Sequence, residues 1–157
     1  MASSYDTNDL RFSWNGDLLM SDTGDLRDCS DDTLQSLLDQ VNIICASALN
    51  DWEIYPGRGS GIDDFIGEPN IPQTATRIRD RLRLALVSAE LVKEEDLYIR
   101  VFPVHIHKMM IVIRVDAIPS GTNKLRTKEK VQSSLVFDTI SHQAFFLDKT
   151  PQLLADS

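Results

Sequence analysis

At 157 residues, with 42% hydrophobic and 25% charged side chains, the chain has an ordinary globular composition and length enough for one buried core, which excludes wholesale disorder. Its formal charge of -8 is unevenly divided: residues 1–68 carry fourteen Asp or Glu against three Arg, a net of -11, while residues 69–157 carry ten acids against thirteen bases, a net of +3. An acidic first half repels nucleic acid and anionic membrane, so neither is expected as a partner.

The opening Met-Ala-Ser-Ser-Tyr-Asp lacks both a positive n-region and an apolar h-region, and no window approaches the roughly 18 apolar residues of a membrane span, so the chain is expected to stay in the cytosol. Its two cysteines, Cys29 and Cys45, have no metal-motif spacing, and Cys45 falls on the apolar face of a predicted helix as a small buried hydrophobe. Residues 1–157 read as a single domain, with 1–9 and 148–157 as flexible tails.

Leu10-Arg-Phe-Ser-Trp14, the turn pair Asn15-Gly16 and Asp17-Leu-Leu-Met20 predict an N-terminal hairpin, followed by a second turn at Asp22-Thr-Gly24. Ser30-Asp-Asp-Thr33 supplies helix caps, Asp32 and Gln35 having capping-box spacing. Leu34, Leu37, Leu38, Val41, Ile44, Cys45, Ala48 and Leu49 then recur at three and four, which predicts an amphipathic helix over about 32–50.

Residues 51–67, Asp-Trp-Glu-Ile-Tyr-Pro-Gly-Arg-Gly-Ser-Gly-Ile-Asp-Asp-Phe-Ile-Gly, hold four of the seven glycines. Glycine supplies backbone shapes other residues resist, and Trp52, Tyr55, Phe65 and Ile66 offer apolar area expected to pin the loop to the core. Pro72 in a first turn opens a second helix whose stripe is Ile71, Ala75, Ile78, Leu82, Ala85, Leu86 and Ala89. Arg77, Arg79, Arg81 and Arg83 alternate in sequence, so on a helix they point two ways, toward solvent or acidic partners. Leu97–Phe102, and His105–Val115 as the strongest run, read as strands around Pro103, an edge or bend position. Ser134–Phe137 and Ala144–Leu147 read as a final hairpin. The fold class is α+β: two main helices packed on a small, mainly antiparallel sheet.

Candidate chemistry is thin. Gly57, Gly59 and Gly61 make G-x-G-x-G, but no Lys-Ser/Thr follows, and Asp63-Asp64 sits where a phosphate would be repelled. His105 and His107, two apart on a strand, would share a face, yet zinc needs a third ligand, and His142 is the sole other histidine. A glycosidase needs two carboxyls at defined separation; Glu53 and Glu90 are the least arbitrary of twenty-four acids. Neither cysteine has a marked base, and no G-x-S-x-G elbow occurs. No catalytic, cofactor-binding or metal-binding residue is assigned, and no cofactor is expected.

The order of features resembles a known family. Asp17-Leu-Leu with Gly24-Asp25-Leu, a helix, Trp52-Glu-Ile-Tyr-Pro56, Gly59-Ser-Gly61-Ile, Phe65-Ile-Gly67, the arginine-rich helix and the strands from Ile99 to Val115 are similar to the lysozyme-like baseplate wedge proteins of contractile phage tails, with relatives in contractile bacteriocins and type VI secretion systems. The resemblance covers roughly residues 17–116, and it departs where many members carry Glu-Pro-Arg and this chain has Glu90-Leu-Val92. It implies a virion protein of the tail baseplate, assembled in the host cytoplasm. Six copies per tail would join other wedge proteins and start the sheath by strand exchange with sheath subunits. The partner-binding residues it suggests are Trp52, Tyr55, Pro56, Gly59, Gly61, Phe65, Ile66, Gly67, Arg77, Arg81, Glu90, Ile111 and Ile113, with the free sheet edge in Leu97–Val115 or the final hairpin. The alternative reading is a peptidoglycan-degrading, lysozyme-like hydrolase.

Overall fold

A computed structural model of the chain describes residues 10–11, 17–27, 33–117, 129–141 and 144–146. Both tails and the proposed cap Asp32 lie outside these residues. Helix α1 spans Thr33–Ala46 and buries Leu37, Val41, Ile44 and Cys45, the i, i+4 stripe of the sequence. It ends four residues before the expected boundary. Asn50 takes a left-handed φ of 69°, the Asp51 carboxylate accepts the Ala48 N–H at 2.8 Å, and these local bonds turn the chain away from the helix axis.

Helix α2, Pro72–Ser88, begins on the proline because a residue without an N–H costs nothing at a first turn. It buries Thr74, Ala75, Ile78, Leu82, Ala85 and Leu86. Ile71, expected in the stripe, is instead the extended residue before the helix and is exposed. At the far end Ala89 bonds back to Ala85, and Glu90 adopts φ 57°, a left-handed conformation usually left to glycine.

Four antiparallel strands follow in the order β1-β2-β3-β4: Leu97–His105, Lys108–Ala117, Glu129–Asp138 and Ala144–Phe146. The expected strand from His105 to Val115 is broken, since Ile106-His107 forms a two-residue turn with His105 paired to Lys108. The final hairpin pairs Leu135 with Phe146 and Phe137 with Ala144. Leu97, Ile99, Met109, Ile111, Ile113, Val115, Leu135 and Phe137 meet the stripes of both helices in one core. Each large aliphatic side chain in it contributes about 1.5–3 kcal/mol. Val112 and Arg114, pointing the other way from β2, are buried as well. The β2 strand is therefore shielded on both faces, which is why it reads as a continuous apolar run.

The N-terminal hairpin is not established. Its turn, Asn15-Gly16, lies outside the described residues, and an isolated bridge joins Met20 to Leu26 around the second turn signal. Leu19 N–H reaches Arg11 O at 3.0 Å and Arg27 N–H reaches Leu19 O at 2.8 Å. Among the described residues no helix is long and apolar enough to cross a membrane.

Candidate functional site

The loop between the helices divides into a buried base and an exposed tip. At the base, Ser60 is fully buried against the end of α1. Its N–H donates to Ile44 O and Ser47 O, both at 3.0 Å, and its hydroxyl donates to Cys45 O at 2.8 Å. The last carbonyls of a helix have no partner within it, so Ser60 acts as a C-terminal cap supplied from fourteen residues beyond Ala46. Burial of the adjacent Cys45 pushes its thiol up to about 12, leaving it a packing residue.

Gly59 makes this approach possible. At φ 114° a β-carbon would lie 2.0 Å from Ala48 O, inside any allowed contact. Gly61, at φ 61°, precedes the 3-10 turn Ile62–Phe65, whose two apolar ends enter the core. Ile66 is half-buried, and Gly67 donates to Thr139 O at 2.9 Å, tying the loop to the sheet.

The tip corrects the sequence reading. Trp52 and Tyr55 do not pin the loop to the core: they are 43% and 54% exposed, and Ile54 and Pro56 stand outside with them. The tip is closed by polar bonds, Asn50 N–H to Arg58 O at 3.1 Å and Gly57 N–H to Asn50 Oδ1 at 2.9 Å. Trp52 Nε1 donates to Ser47 Oγ at 3.3 Å, and the Arg58 guanidinium covers the Tyr55 ring at 4.7 Å. A projecting loop with Trp, Tyr and Arg on its surface has the composition of interface hot spots.

The alternating arginines do point two ways, and all four meet acids of their own chain. Arg77 bonds Glu68 at 2.7 Å and lies over Phe65, while Arg81 bonds Asp64 at 2.8 Å, so these two hold the loop base against α2. Arg79 pairs with Asp80 and Arg83 with Glu94. Such exposed pairs contribute about 0–1 kcal/mol each. A partner contact through Arg77 or Arg81 would therefore have to compete with contacts already made.

Ile111 and Ile113 are corrected outright. They lie in β2, hydrogen-bonded to strands on both sides, and are 0% and 1% exposed, so they belong to the core and present nothing to a partner. Among the described residues the free edge of that region is β1. Its burial alternates from Leu97 to Arg100, with Tyr98 and Arg100 exposed, and a groove of about 410 Å³ runs between its Ile99–Pro103 segment and Pro72, Ala75, Thr76 and Arg79 of α2. On the opposite side β4 is three residues long and pairs only Leu135–Phe137 of β3, so among the described residues Glu129–Ser134 have no strand on their outer side. Glu53 and Glu90, the carboxyls considered for hydrolysis, are both exposed, one at the loop tip and one past the end of α2.

Two residues with structural consequence carry no signal in the sequence. Ser60 reads simply as a residue between glycines, and Asn70, whose side-chain amide donates to His105 O and to Lys108 O at 3.1 Å, sits in a short turn before Pro72. Single polar residues in loops have no periodicity to betray their partners. No family description, curated protein or solved structure matches the chain.

Proposed function

We propose that this chain is a structural component of a contractile-tail baseplate wedge, which joins wedge proteins and initiates the sheath by completing its sheet with a strand from a sheath subunit. The observation that carries the reading is the nine-residue β1 edge beside the α2 groove. On an edge strand every second residue turns its N–H and C=O away from the sheet, and an incoming strand satisfies both. Main-chain bonds supply affinity, and a groove beside the edge admits alternate side chains of the added strand.

The exposed loop tip, with Trp52, Tyr55 and Arg58, is the surface offered to the wedge. Copies arranged sixfold around a tail would present six such edges to a sheath ring, and the chain would reside in the virion after assembly in the host cytoplasm. In this reading it needs neither cofactor nor catalysis.

Electron cryomicroscopy of native contractile tails tests it. The expected result is this chain between the wedge and the first sheath ring, with an extra strand alongside β1. Purification from producing cells as a free monomer, absent from tails, would overturn the assembly reading. Peptidoglycan clearing by the purified protein, lost in Glu53→Gln or Glu90→Gln, would establish the hydrolase in its place.

A further inference from the structure

The turn joining β1 to β2 is held more firmly than an exposed hairpin tip requires. Neither Ile106 nor His107 has a positive φ, so this is not the turn type whose twist best matches paired strands, and the register shifts between Pro103 and His105. Two outside residues hold it in place. The Asn70 amide donates to His105 O and Lys108 O, on either side of the turn. The Thr139 N–H and hydroxyl donate to His107 O at 2.8 and 3.2 Å.

What this backbone presents is a pair of imidazoles. His105 and His107 are both exposed, and their ring centres lie 6.5 Å apart at an interplanar angle of 58°. They overhang a cavity of about 670 Å³ that Glu68, Asn70 and Ile140 also line. Two imidazoles bound to one ion by bonds of about 2.0–2.1 Å place their ring centres roughly 4.5–5.5 Å apart when the nitrogens subtend a right to tetrahedral angle. The rings therefore need to close by about 1–2 Å, within the reach of side-chain rotation on a backbone that is already fixed.

We propose that His105 and His107 form a two-imidazole site for a divalent transition ion. Imidazole suits copper, nickel and zinc, and a site that leaves the other positions to water imposes no geometry, so the general order of divalent affinities applies and Cu²⁺ binds more tightly than Ni²⁺ or Zn²⁺. Among the described residues no group of three ligating side chains exists, so those residues supply two imidazoles and not the four ligands of a closed structural zinc centre. The assignment does not rest on the assembly role, although His105 is the last residue of β1, since its test reads ion binding by the isolated chain.

Isothermal titration of the full chain, carrying no histidine tag, with copper(II) chloride at pH 7.5 tests it. One ion per chain is expected, with affinity reduced at least tenfold in His105→Gln and in His107→Gln. Nickel and zinc chlorides should bind more weakly. In the unsubstituted protein, substoichiometric Cu²⁺ should selectively broaden the ring resonances of His105 and His107, a readout that needs no variant. Wild-type affinity in the His105→Gln/His107→Gln double variant would overturn the proposal.

Discussion

The two halves of the loop between the helices are made from the same residue types and do opposite things. In residues 59–66, glycine lets backbone touch backbone, and Ser60, Ile62 and Phe65 are buried. In residues 50–58, glycine has open space around it, since a β-carbon at Gly57 would meet nothing within 4 Å, and the aromatics face solvent. The difference teaches that a positive φ calls for glycine at both Gly57 and Gly59 while only Gly59 also faces a close backbone approach, and that an aromatic side chain anchors a loop only where the core has room to receive it.

Substitutions can break or sharpen that contrast. The largest effect is expected from Gly59→Val, which combines an unfavourable φ with a clash against Ala48 O: a loss of about 4 kcal/mol or more, read as a collapse of the denaturation midpoint or of soluble yield. Phe65→Ala, emptying a core position under the Arg77 guanidinium, should cost about 3–5 kcal/mol in chemical denaturation. Next comes Ser60→Ala, which removes the hydroxyl donor to Cys45 O and should cost about 1–3 kcal/mol, with faster amide exchange in the last turn of α1. The smallest change in stability belongs to the tip, where Trp52→Ala with Tyr55→Ala should shift folding by no more than about 1 kcal/mol, while the proposed assembly role expects impaired incorporation into tails. If the tip pair proved as destabilising as Phe65→Ala, the division of the loop would be wrong; if Gly59→Val folded normally, the close approach to α1 would be.

The sheet offers a milder version of the same contrast, between its turn and its edge. Asp138, at the end of β3, has its carboxylate held below the usual range chiefly by the Ile140 N–H, with the Ser141 N–H adding to it. A depressed carboxylate contributes stability that is fully present above its unfolded value near 3.8 and is lost as pH falls through the lower folded value. Acid titration followed by NMR should accordingly show the 138–141 turn loosening below about pH 4, and Asp138→Asn should remove that pH dependence.

Much of the fold was legible in the chain itself. Apolar residues three and four apart marked both buried helix faces from Leu37 to Cys45 and from Ala75 to Leu86, Pro72 marked the start of α2, and runs of β-branched residues marked the sheet. These features are local and periodic, and burial of one face is enough to impose them. The sequence also showed that the stretch from Asp51 to Gly67 was unusual, and that its arginine-rich neighbour would present two charged faces.

Tertiary structure alone decided what lies outside that periodicity. It placed Trp52 and Tyr55 in solvent, because the end of α1 is capped by Ser60 and approached by Gly59, leaving no core for the aromatics to enter. It turned the run from His105 to Val115 into a turn and a central strand, since Asn70 and Thr139 hold the backbone at Ile106-His107. By packing both helices on one face of the sheet it also withdrew Ile111 and Ile113 from the surface, and by putting β3 beside β2 it left β1 as a free edge among the described residues. Each of these outcomes depends on hydrogen bonds or contacts between residues distant in sequence, which no local pattern encodes.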